Sequence, residues 1–227
     1  AKSYFENIKN VNKYESDAHY YLGHISYQLE DYDLAVESFK NVSKTEQKKN
    51  LAYFQVDMNF RLGRFEKAIQ LGVKELNSIK ETSLISEISK IIGESYFNLN
   101  EYSKALKYLE KYQGKKGRWS NVDYYQMGYT YYKTSNYEKA INQFNKIIQV
   151  KNDLAQNAYY YLGDSYLNNS QKSAALSAFR KASLMDFDES LAEDAFLNYS
   201  KLSYEIGNPF EKVSNVLYDF LKKYPKN

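Results

Sequence analysis

The side chains that could carry metal chemistry in this sequence are two histidines and several short acidic clusters. His19 and His24 lie five residues apart, whereas two metal ligands on one face of a helix need a spacing of four, as in a His-Glu-x-x-His motif. The 227-residue chain contains no cysteine, which excludes disulfides, thiolate metal sites and cysteine nucleophiles. These residue types and spacings therefore predict no metal site.

Two acidic segments, 31–33 and 186–189, have the composition of calcium-binding loops. Both lack the glycine and the distant bidentate glutamate of an EF-hand, so we interpret them as acidic residues at helix starts. Segment 115–118 is basic and is followed by Trp119. It offers a phosphate or nucleic-acid contact, although a solvated linker is the favoured interpretation. The net charge of +3, from 31 basic and 28 acidic residues, gives no nucleic-acid signature.

No arrangement in the chain resembles a nucleophile with its base, a phosphate-binding loop or a dinucleotide fingerprint. The sequence therefore predicts no enzyme, no catalytic residue and no cofactor. It also contains no apolar run of about 18 residues, so no membrane-spanning segment is expected.

Tyrosine is the residue type whose abundance points to a function. The chain has 25 tyrosines, and aromatic residues make up 17% of it, yet its mean hydropathy is −0.70. Tyrosine offers a large contact area at a low cost in entropy, and its hydroxyl can orient a polar ligand. Binding by exposed tyrosines is one interpretation; the other is that the rings only fill gaps between helices.

A repeat of 35 residues must position these side chains. Gly93, Gly128 and Gly163 are spaced by 35, and Gly23 lies twice that distance before Gly93. Twelve residues after each glycine comes an alanine, and four further on comes a large apolar residue. The alanines are Ala35, Ala105, Ala140 and Ala175, and the large residues are Phe39, Leu109, Phe144 and Phe179.

Two further units fit the repeat less closely. In one, Val56 takes the glycine place and Gly72 takes the place of the large residue, so we expect looser packing there. In the last, Ser200 takes the glycine place and one residue is inserted near Pro209. The chain begins with the spacing of a second half-unit and ends at the segment 224–227, where a unit should close. Both ends are therefore expected to be cut from a longer array.

Each unit contains two stretches with helical periodicity. Tyr124, Gly128 and Tyr131 share one face of the first stretch in the fourth unit. We predict N-terminal capping boxes beginning at Ser120, Ser135, Asp153 and Ser190. We also predict that Trp119 packs on Tyr124 as a hydrophobic staple. Because glycine costs about 1 kcal/mol inside a helix, we expect each glycine to face the alanine of the second helix and to permit close approach.

These residues resemble the tetratricopeptide repeat, a helix–turn–helix unit of 34 residues. The clearest match is 157–187, with Tyr159, Leu162-Gly163, Tyr166, Ala175, Phe179 and Ala182. The resemblance covers nearly the whole chain and implies an all-α solenoid of antiparallel helix pairs, with about thirteen helices. The predicted segments are 1–15 (second helix of a truncated repeat), 16–48, 49–85 (degenerate), 86–120, 121–155, 156–192 and 193–227 (with the insertion near Pro209).

The resemblance further implies a superhelix whose first helices line a concave groove. With the core positions assigned, the groove is predicted to be lined by Tyr20, His24, Tyr27, Tyr53, Asp57, Phe60, Arg61, Lys90, Glu94, Phe97, Tyr125, Tyr129, Tyr132, Lys133, Tyr160, Asp164, Lys201 and Tyr204. The expected function is non-enzymatic: a scaffold that binds a peptide or helix of a protein partner in this groove. The peptide-carboxylate clamp of chaperone-binding members is not expected, because no residue here matches it.

Two other functions are alternatives. The same tyrosines could stack on sugars, as a glycan or small-ligand binding module of the cell envelope, or the array could self-assemble through its cut ends. The longer repeats and the Tyr-Pro ending are similar to bacterial envelope repeat proteins, which favours the periplasm or envelope over the cytoplasm. The sequence predicts no nucleic-acid partner.

Overall fold

The computed structural model describes residues 1–225, except for the side chains of Lys49 and Asn50. Every regular element in this part of the chain is an α-helix, as the sequence predicts. The thirteen helices of the described residues are α1 (Lys2–Ile8), α2 (Glu15–Gln28), α3 (Tyr32–Lys40), α4 (Thr45–Arg61), α5 (Phe65–Leu76), α6 (Thr82–Asn98), α7 (Tyr102–Leu109), α8 (Asn121–Lys133), α9 (Tyr137–Phe144), α10 (Asp153–Asn168), α11 (Lys172–Ser183), α12 (Glu189–Ile206) and α13 (Val213–Lys223). The last two residues of the predicted closing segment 224–227 lie outside the described residues.

The helices form two compact units. The first, Ala1–Lys115, contains α1–α7, and the second, Lys116–Asn227, contains α8–α13. Within the first unit α2 packs on α3, α4 on α5 and α6 on α7, and α5 also packs on α6. Within the second, α8 packs on α9, α10 on α11 and α12 on α13, and α9 and α11 also contact the first helix of the following pair. This stacking of successive helix pairs is the architecture of an α-solenoid.

The helices begin a few residues before several of the predicted repeat boundaries. The positions 49, 86, 156 and 193 fall inside α4, α6, α10 and α12. The predicted boundaries follow the spacing of the repeated residues, whereas each helix starts directly after its N-cap residue. The division into repeats stays a prediction.

The turn inside most helix pairs contains one residue in the left-handed backbone region. Glu30, Asn100, Ser135 and Ser170 have φ between 59° and 61°, and Gly63 has φ 69°. The expected capping box at Ser135 is therefore wrong, because this residue closes the turn after α8 and the N-cap of α9 is Asn136.

One predicted helix start is confirmed in full. Ser120 and Asp123 form a reciprocal capping box at the start of α8, and Ser120 Oγ accepts a hydrogen bond from the Asp123 N–H at 3.2 Å. The rings of Trp119 and Tyr124 lie 5.4 Å apart between centroids, as a hydrophobic staple requires.

Two other predicted helix starts are wrong by one or two residues. The N-cap of α10 is Asn152 rather than Asp153, and the N-cap of α12 is Asp188 rather than Ser190. In both cases the preceding polar side chain accepts a backbone N–H of the first turn. Several adjacent residues in each segment are competent caps, so residue type alone could not select among them.

The closest neighbour of each repeated glycine is the large residue of the second helix and not, as expected, the alanine. A Cβ atom added to Gly128 would lie 2.8 Å from the Phe144 ring, and one added to Gly163 would lie 2.9 Å from the Phe179 ring. The glycine therefore makes room for the large residue of the second helix and not primarily for the alanine. Both rings are almost completely buried.

The second repeat solves the same packing problem differently. Gly72 stands on α5 where the other repeats carry the large residue, and it is buried. A Cβ atom there would lie 2.7 Å from Ile92 on α6 and 3.3 Å from Val56 on α4. The side chain of the following first helix therefore fills the space that the missing ring leaves.

Polar side chains on first helices hold the loops that follow the second helices. Gln156 on α10 is fully buried and makes hydrogen bonds to backbone groups of Ala182, Met185 and Asp188. Ser16 on α2 accepts two backbone N–H groups of the loop after α3. Ser86 on α6 accepts one from the loop after α7. The three side chains occupy the same repeat position, seven residues before Gly163, Gly23 and Gly93.

Candidate interaction surface

The predicted groove residues of the first unit all lie on its first helices. Tyr20, His24 and Tyr27 are on α2, Tyr53, Asp57, Phe60 and Arg61 are on α4, and Lys90, Glu94 and Phe97 are on α6. Most of these side chains are half-buried, but Asp57 is buried and Arg61 is exposed.

A network of tyrosines, an aspartate and an arginine lies between α2, α3 and α4. The Tyr27 hydroxyl donates to Asp57 Oδ2 at 2.6 Å, and Arg61 Nε donates to the same oxygen at 2.6 Å. Arg61 Nη1 donates to the Tyr32 hydroxyl at 3.1 Å. The guanidinium carbon lies 5.9 Å from the Tyr27 ring centre and 5.4 Å from that of Tyr32. Asp57 is thus neutralised within the chain, and Arg61 is held against two rings.

His24 belongs to the packing between α2, α3 and α4. Its ring centre lies 4.4 Å from Tyr20, 4.7 Å from Phe54 and 5.2 Å from Phe39. Burial lowers the pKa of His24, which favours a neutral ring. This part of the predicted groove is therefore an aromatic cluster in which His24 contributes mainly packing.

On α6 the charges are balanced within the helix. Lys90 Nζ lies 3.8 Å from Glu94 Oε1 and 4.8 Å from the centre of the Tyr112 ring. The ammonium group of Lys90 therefore contacts both a carboxylate and an aromatic ring. This face presents a neutral ion pair beside the half-buried Tyr53.

In the second unit the predicted residues again lie on first helices. Tyr125, Tyr129, Tyr132 and Lys133 are on α8, Tyr160 and Asp164 are on α10, and Lys201 and Tyr204 are on α12. Lys133, Lys201 and Tyr204 are exposed, and Tyr204 retains 77% of its accessible surface. The others are half-buried.

The centre of the second cluster is Tyr161, which the prediction did not include. Its ring centre lies 4.8 Å from Tyr129, 5.3 Å from Tyr132 and 6.5 Å from Tyr125. The cluster therefore joins α8 to α10 by tyrosine contacts. We call Tyr125, Tyr129, Tyr132, Tyr160 and Tyr161 the tyrosine cluster.

Phe54 in the first unit corresponds to Tyr161 and was also missed. Both stand two residues before the glycine place and directly after a predicted groove tyrosine. The pairs Tyr53-Phe54 and Tyr160-Tyr161 could have indicated these two residues. Two successive aromatic residues on a helix cannot both point into one core, so the second ring of each pair must pack elsewhere. The structure shows that the second ring of each pair packs towards the preceding first helix.

Burial raises the pKa of several tyrosine hydroxyls on this surface. Burial, with the neighbouring charges of Asp57 and Glu87, raises the pKa of Tyr53 to about 12. Burial and the hydrogen bond to Asp57 raise the pKa of Tyr27. Burial also raises the pKa of Tyr125 and, together with a hydrogen bond to Asp164, that of Tyr132. These phenols stay protonated as hydrogen-bond donors at neutral pH.

We expect the raised pKa of Tyr53 to appear in the alkaline stability of the protein. Its ordinary pKa is 10.0 and its value in the folded chain is about 12, so the stabilising contribution is complete below pH 10 and is lost as the pH rises towards 12. Titration of tyrosinate absorbance should show a late-ionising group that a Tyr53→Phe variant lacks. Identical alkaline titrations of the two proteins would contradict this assignment.

No helix in the described part of the chain is long and apolar enough to cross a membrane. Among the same residues, no three histidine or carboxylate side chains are grouped closely enough to hold a metal ion.

Comparison with known families gives three matches, each described as a tetratricopeptide repeat. They cover residues 16–48, 91–115 and 125–186, which together make up about half of the chain. No curated protein matches the chain.

Solved structures of similar fold cover most or all of the chain. The C-terminal part of a TPR repeat-containing protein from Cytophaga hutchinsonii has a TM-score of 0.63 and 19% identity, covering 100% of this chain and 92% of that one. A structure of MamA has a TM-score of 0.62 and 13% identity, covering 80% and 94%. The apo form of RapI has a TM-score of 0.59 and 13% identity, covering 97% and 68%. The three tetratricopeptide-repeat matches, together with the stacked helix pairs, show that the chain belongs to the tetratricopeptide repeat family.

Proposed function

We propose that this chain is a non-enzymatic scaffold that binds a segment of a protein partner through the aromatic faces of its first helices. Tetratricopeptide repeats serve as protein–protein interaction scaffolds. The observation that carries the proposal here is the tyrosine cluster, whose rings lie half-buried at the surface of α8 and α10. Such rings are already ordered before a partner arrives, so their contact area costs little additional entropy.

The charges support a protein rather than a nucleic acid as the partner. Two of the cationic residues of the surface stand beside acidic residues, in the pairs Arg61–Asp57 and Lys90–Glu94. A groove that follows a phosphate backbone needs a continuous excess of basic side chains. Mixed charges between aromatic rings suit a polar peptide instead.

We expect a Tyr125→Ala/Tyr129→Ala variant to lose partner binding, because it removes two rings from the tyrosine cluster. Immobilised wild-type and variant proteins would be compared for the proteins they retain from source cells. The matched control is Tyr4→Ala/Tyr218→Ala, which removes two tyrosines that are each 65% exposed and lie on α1 and α13. We expect one protein to be retained by the wild type and by the control and to be absent from the material retained by Tyr125→Ala/Tyr129→Ala.

A second variant separates binding from folding. Tyr125 packs on Phe144 with ring centres 6.0 Å apart, so its truncation also removes core contact. Tyr204→Ala changes a predicted groove residue that is 77% exposed, and circular dichroism should show unchanged helicity. Suppose that the wild type retains a partner and that Tyr125→Ala/Tyr129→Ala and Tyr204→Ala retain it equally well. The groove is then not the binding surface.

A further inference from the structure

An arrangement of two tyrosines and an aspartate in the first unit recurs in the second. In the first unit the Tyr27 hydroxyl donates to Asp57, and the Tyr32 ring lies 5.8 Å from that of Tyr27 at an interplanar angle of 67°. In the second unit the Tyr132 hydroxyl donates to Asp164. The repeat positions correspond. Asp57 and Asp164 each follow the glycine place of their own repeat by one residue, and Tyr27 and Tyr132 each follow that of the preceding repeat by four.

The second ring is also matched. Tyr137 begins α9 as Tyr32 begins α3, and its ring centre lies 6.1 Å from that of Tyr132 at an interplanar angle of 58°. In both places, therefore, two phenol rings lie against each other and one of them donates to a carboxylate. The two sites differ in what lies against them.

In the first unit the site contains a guanidinium group of the chain itself. Arg61 reaches both the Asp57 carboxylate and the Tyr32 hydroxyl and lies against both rings. Arginine suits this environment because its planar, weakly hydrated head group stacks on aromatic rings while it donates to a carboxylate. The first site thus demonstrates the ligand chemistry that the arrangement accepts.

In the second unit the corresponding residue is Asn168, which follows Asp164 by four as Arg61 follows Asp57. Its side chain turns back to Asp164, donating to the main-chain oxygen at 2.9 Å and to Oδ1 at 3.4 Å. Among the described residues, the side-chain donors to Asp164 are Tyr132 and Asn168, and both are uncharged. Asp164 is also more exposed than the buried Asp57.

Other repeats balance their charges at the related positions. Glu94, which corresponds to Asp164, lies 3.8 Å from Lys90. Glu205 on α12, which corresponds to Asn168, forms an ion pair with Lys172 at the start of α11. Asp164 therefore differs from its counterparts Asp57 and Glu94 in the absence of a cationic partner among the described residues.

We propose that Tyr132, Tyr137 and Asp164 bind an arginine side chain of the protein partner, in the manner in which the first unit binds its own Arg61. This inference rests on the proposed function and specifies one chemical feature of the partner segment. A lysine gains less at such a site, because its compact and strongly hydrated ammonium makes neither the planar stacking contact nor the forked hydrogen bonds.

The test uses Nα-acetyl-arginine amide as the probe and the complete chain as the receptor, followed by two-dimensional NMR. We expect saturable shifts centred on Tyr132, Tyr137 and Asp164. The uncharged isostere Nα-acetyl-citrulline amide should bind about tenfold more weakly, since it keeps the shape and loses the ion pair and the cation–π contact. Equal binding of the two probes, or shifts located elsewhere, would overturn the proposal.

Two substitutions test the site from the side of the protein. Asp164→Asn removes the charge with little change in shape and should weaken binding of the arginine probe by about tenfold. Asn168→Arg should supply an internal guanidinium, as in the first unit, and abolish the shifts. The matched control is Asn98→Arg, which adds the same charge at the same position of another repeat and should leave the Asp164 site unchanged. Undiminished binding to Asn168→Arg would contradict the proposal.

These outcomes are separate from those of the partner experiment. If Tyr125→Ala/Tyr129→Ala loses the partner while the arginine and citrulline probes bind alike, the scaffold function stands and the arginine site fails. If the arginine probe binds as expected while that variant and Tyr204→Ala retain the partner, the site exists and the groove function fails.

Discussion

A Gln156→Leu variant is expected to unfold with a free energy about 3–5 kcal/mol lower than that of the wild type. The Gln156 side chain is fully buried, and its Nε2 donates to the main-chain oxygens of Met185 and Asp188 at 3.0 Å each. Its Oε1 accepts the Asp188 N–H at 2.8 Å. Leucine has a similar size but leaves these backbone groups without their partner, so the cost is mainly that of unsatisfied polar groups.

Urea unfolding followed by circular dichroism would measure this change. The matched control is Gln143→Leu on α9, where the glutamine side chain is only half-buried and accepts from Lys146 at 3.0 Å. This control should change the free energy of unfolding by less than about 0.5 kcal/mol. Equal, small effects of the two substitutions would show that the loop after α11 does not depend on Gln156.

A Phe144→Ala variant is expected to lose a similar amount, about 3–5 kcal/mol, because it leaves a cavity in the core of the second unit. The ring is completely buried and lies 6.0 Å from the Tyr125 ring and 6.4 Å from the Tyr161 ring, between centroids. Its removal therefore also loosens the support of the tyrosine cluster. Chemical denaturation would measure the loss, and a change below about 1 kcal/mol would show that the site collapses around the cavity.

The partner of that ring gives the prediction a sharper form. In the wild type, Gly128→Ala would place a Cβ atom 2.8 Å from the Phe144 ring, so the overpacking cost of about 1–3 kcal/mol should exceed the helix-propensity gain of about 1 kcal/mol. In the Phe144→Ala background the ring is absent, and Gly128→Ala should stabilise. A double-mutant cycle would therefore show a reversal of sign, whereas the same sign in both backgrounds would disprove the packing assignment.

The sequence predicts the helix pairs because the residues that pack the two helices together recur with a fixed period. Glycine, alanine and a large apolar residue recur at fixed intervals, and this pattern carries the resemblance that implies the solenoid. It did not identify the contact of Gly128, because spacing places residues on faces and does not say which neighbour is nearest. The space left by Gly72 is filled from another helix pair, by Ile92, which no pattern within one repeat could reveal.

The sequence was enough to place the predicted groove residues on first helices, but it did not give their contacts. The predicted tyrosines do lie on first helices. The bonds Tyr27–Asp57 and Tyr132–Asp164 join residues that are 30 and 32 positions apart. Their partners are set by the lateral register of two helices, which depends on packing. Tyr161 was missed for the same reason, since its neighbours belong to a different repeat.

The polar side chains that hold the loops after second helices determine where two such arrays can recombine without losing hydrogen bonds. Gln156 bonds to residues up to Asp188, and Ser16 bonds to Ser43 and Lys44. Every one of these bonds stays within a stretch that runs from a first helix to the loop before the next. A recombination event that joined two arrays just after residue 188 would therefore transfer a repeat with its bonded loop intact, while a junction inside the preceding loop would separate Gln156 from its partners. For the repeat that contains Gln156, the junction that preserves these bonds is therefore at the start of α12.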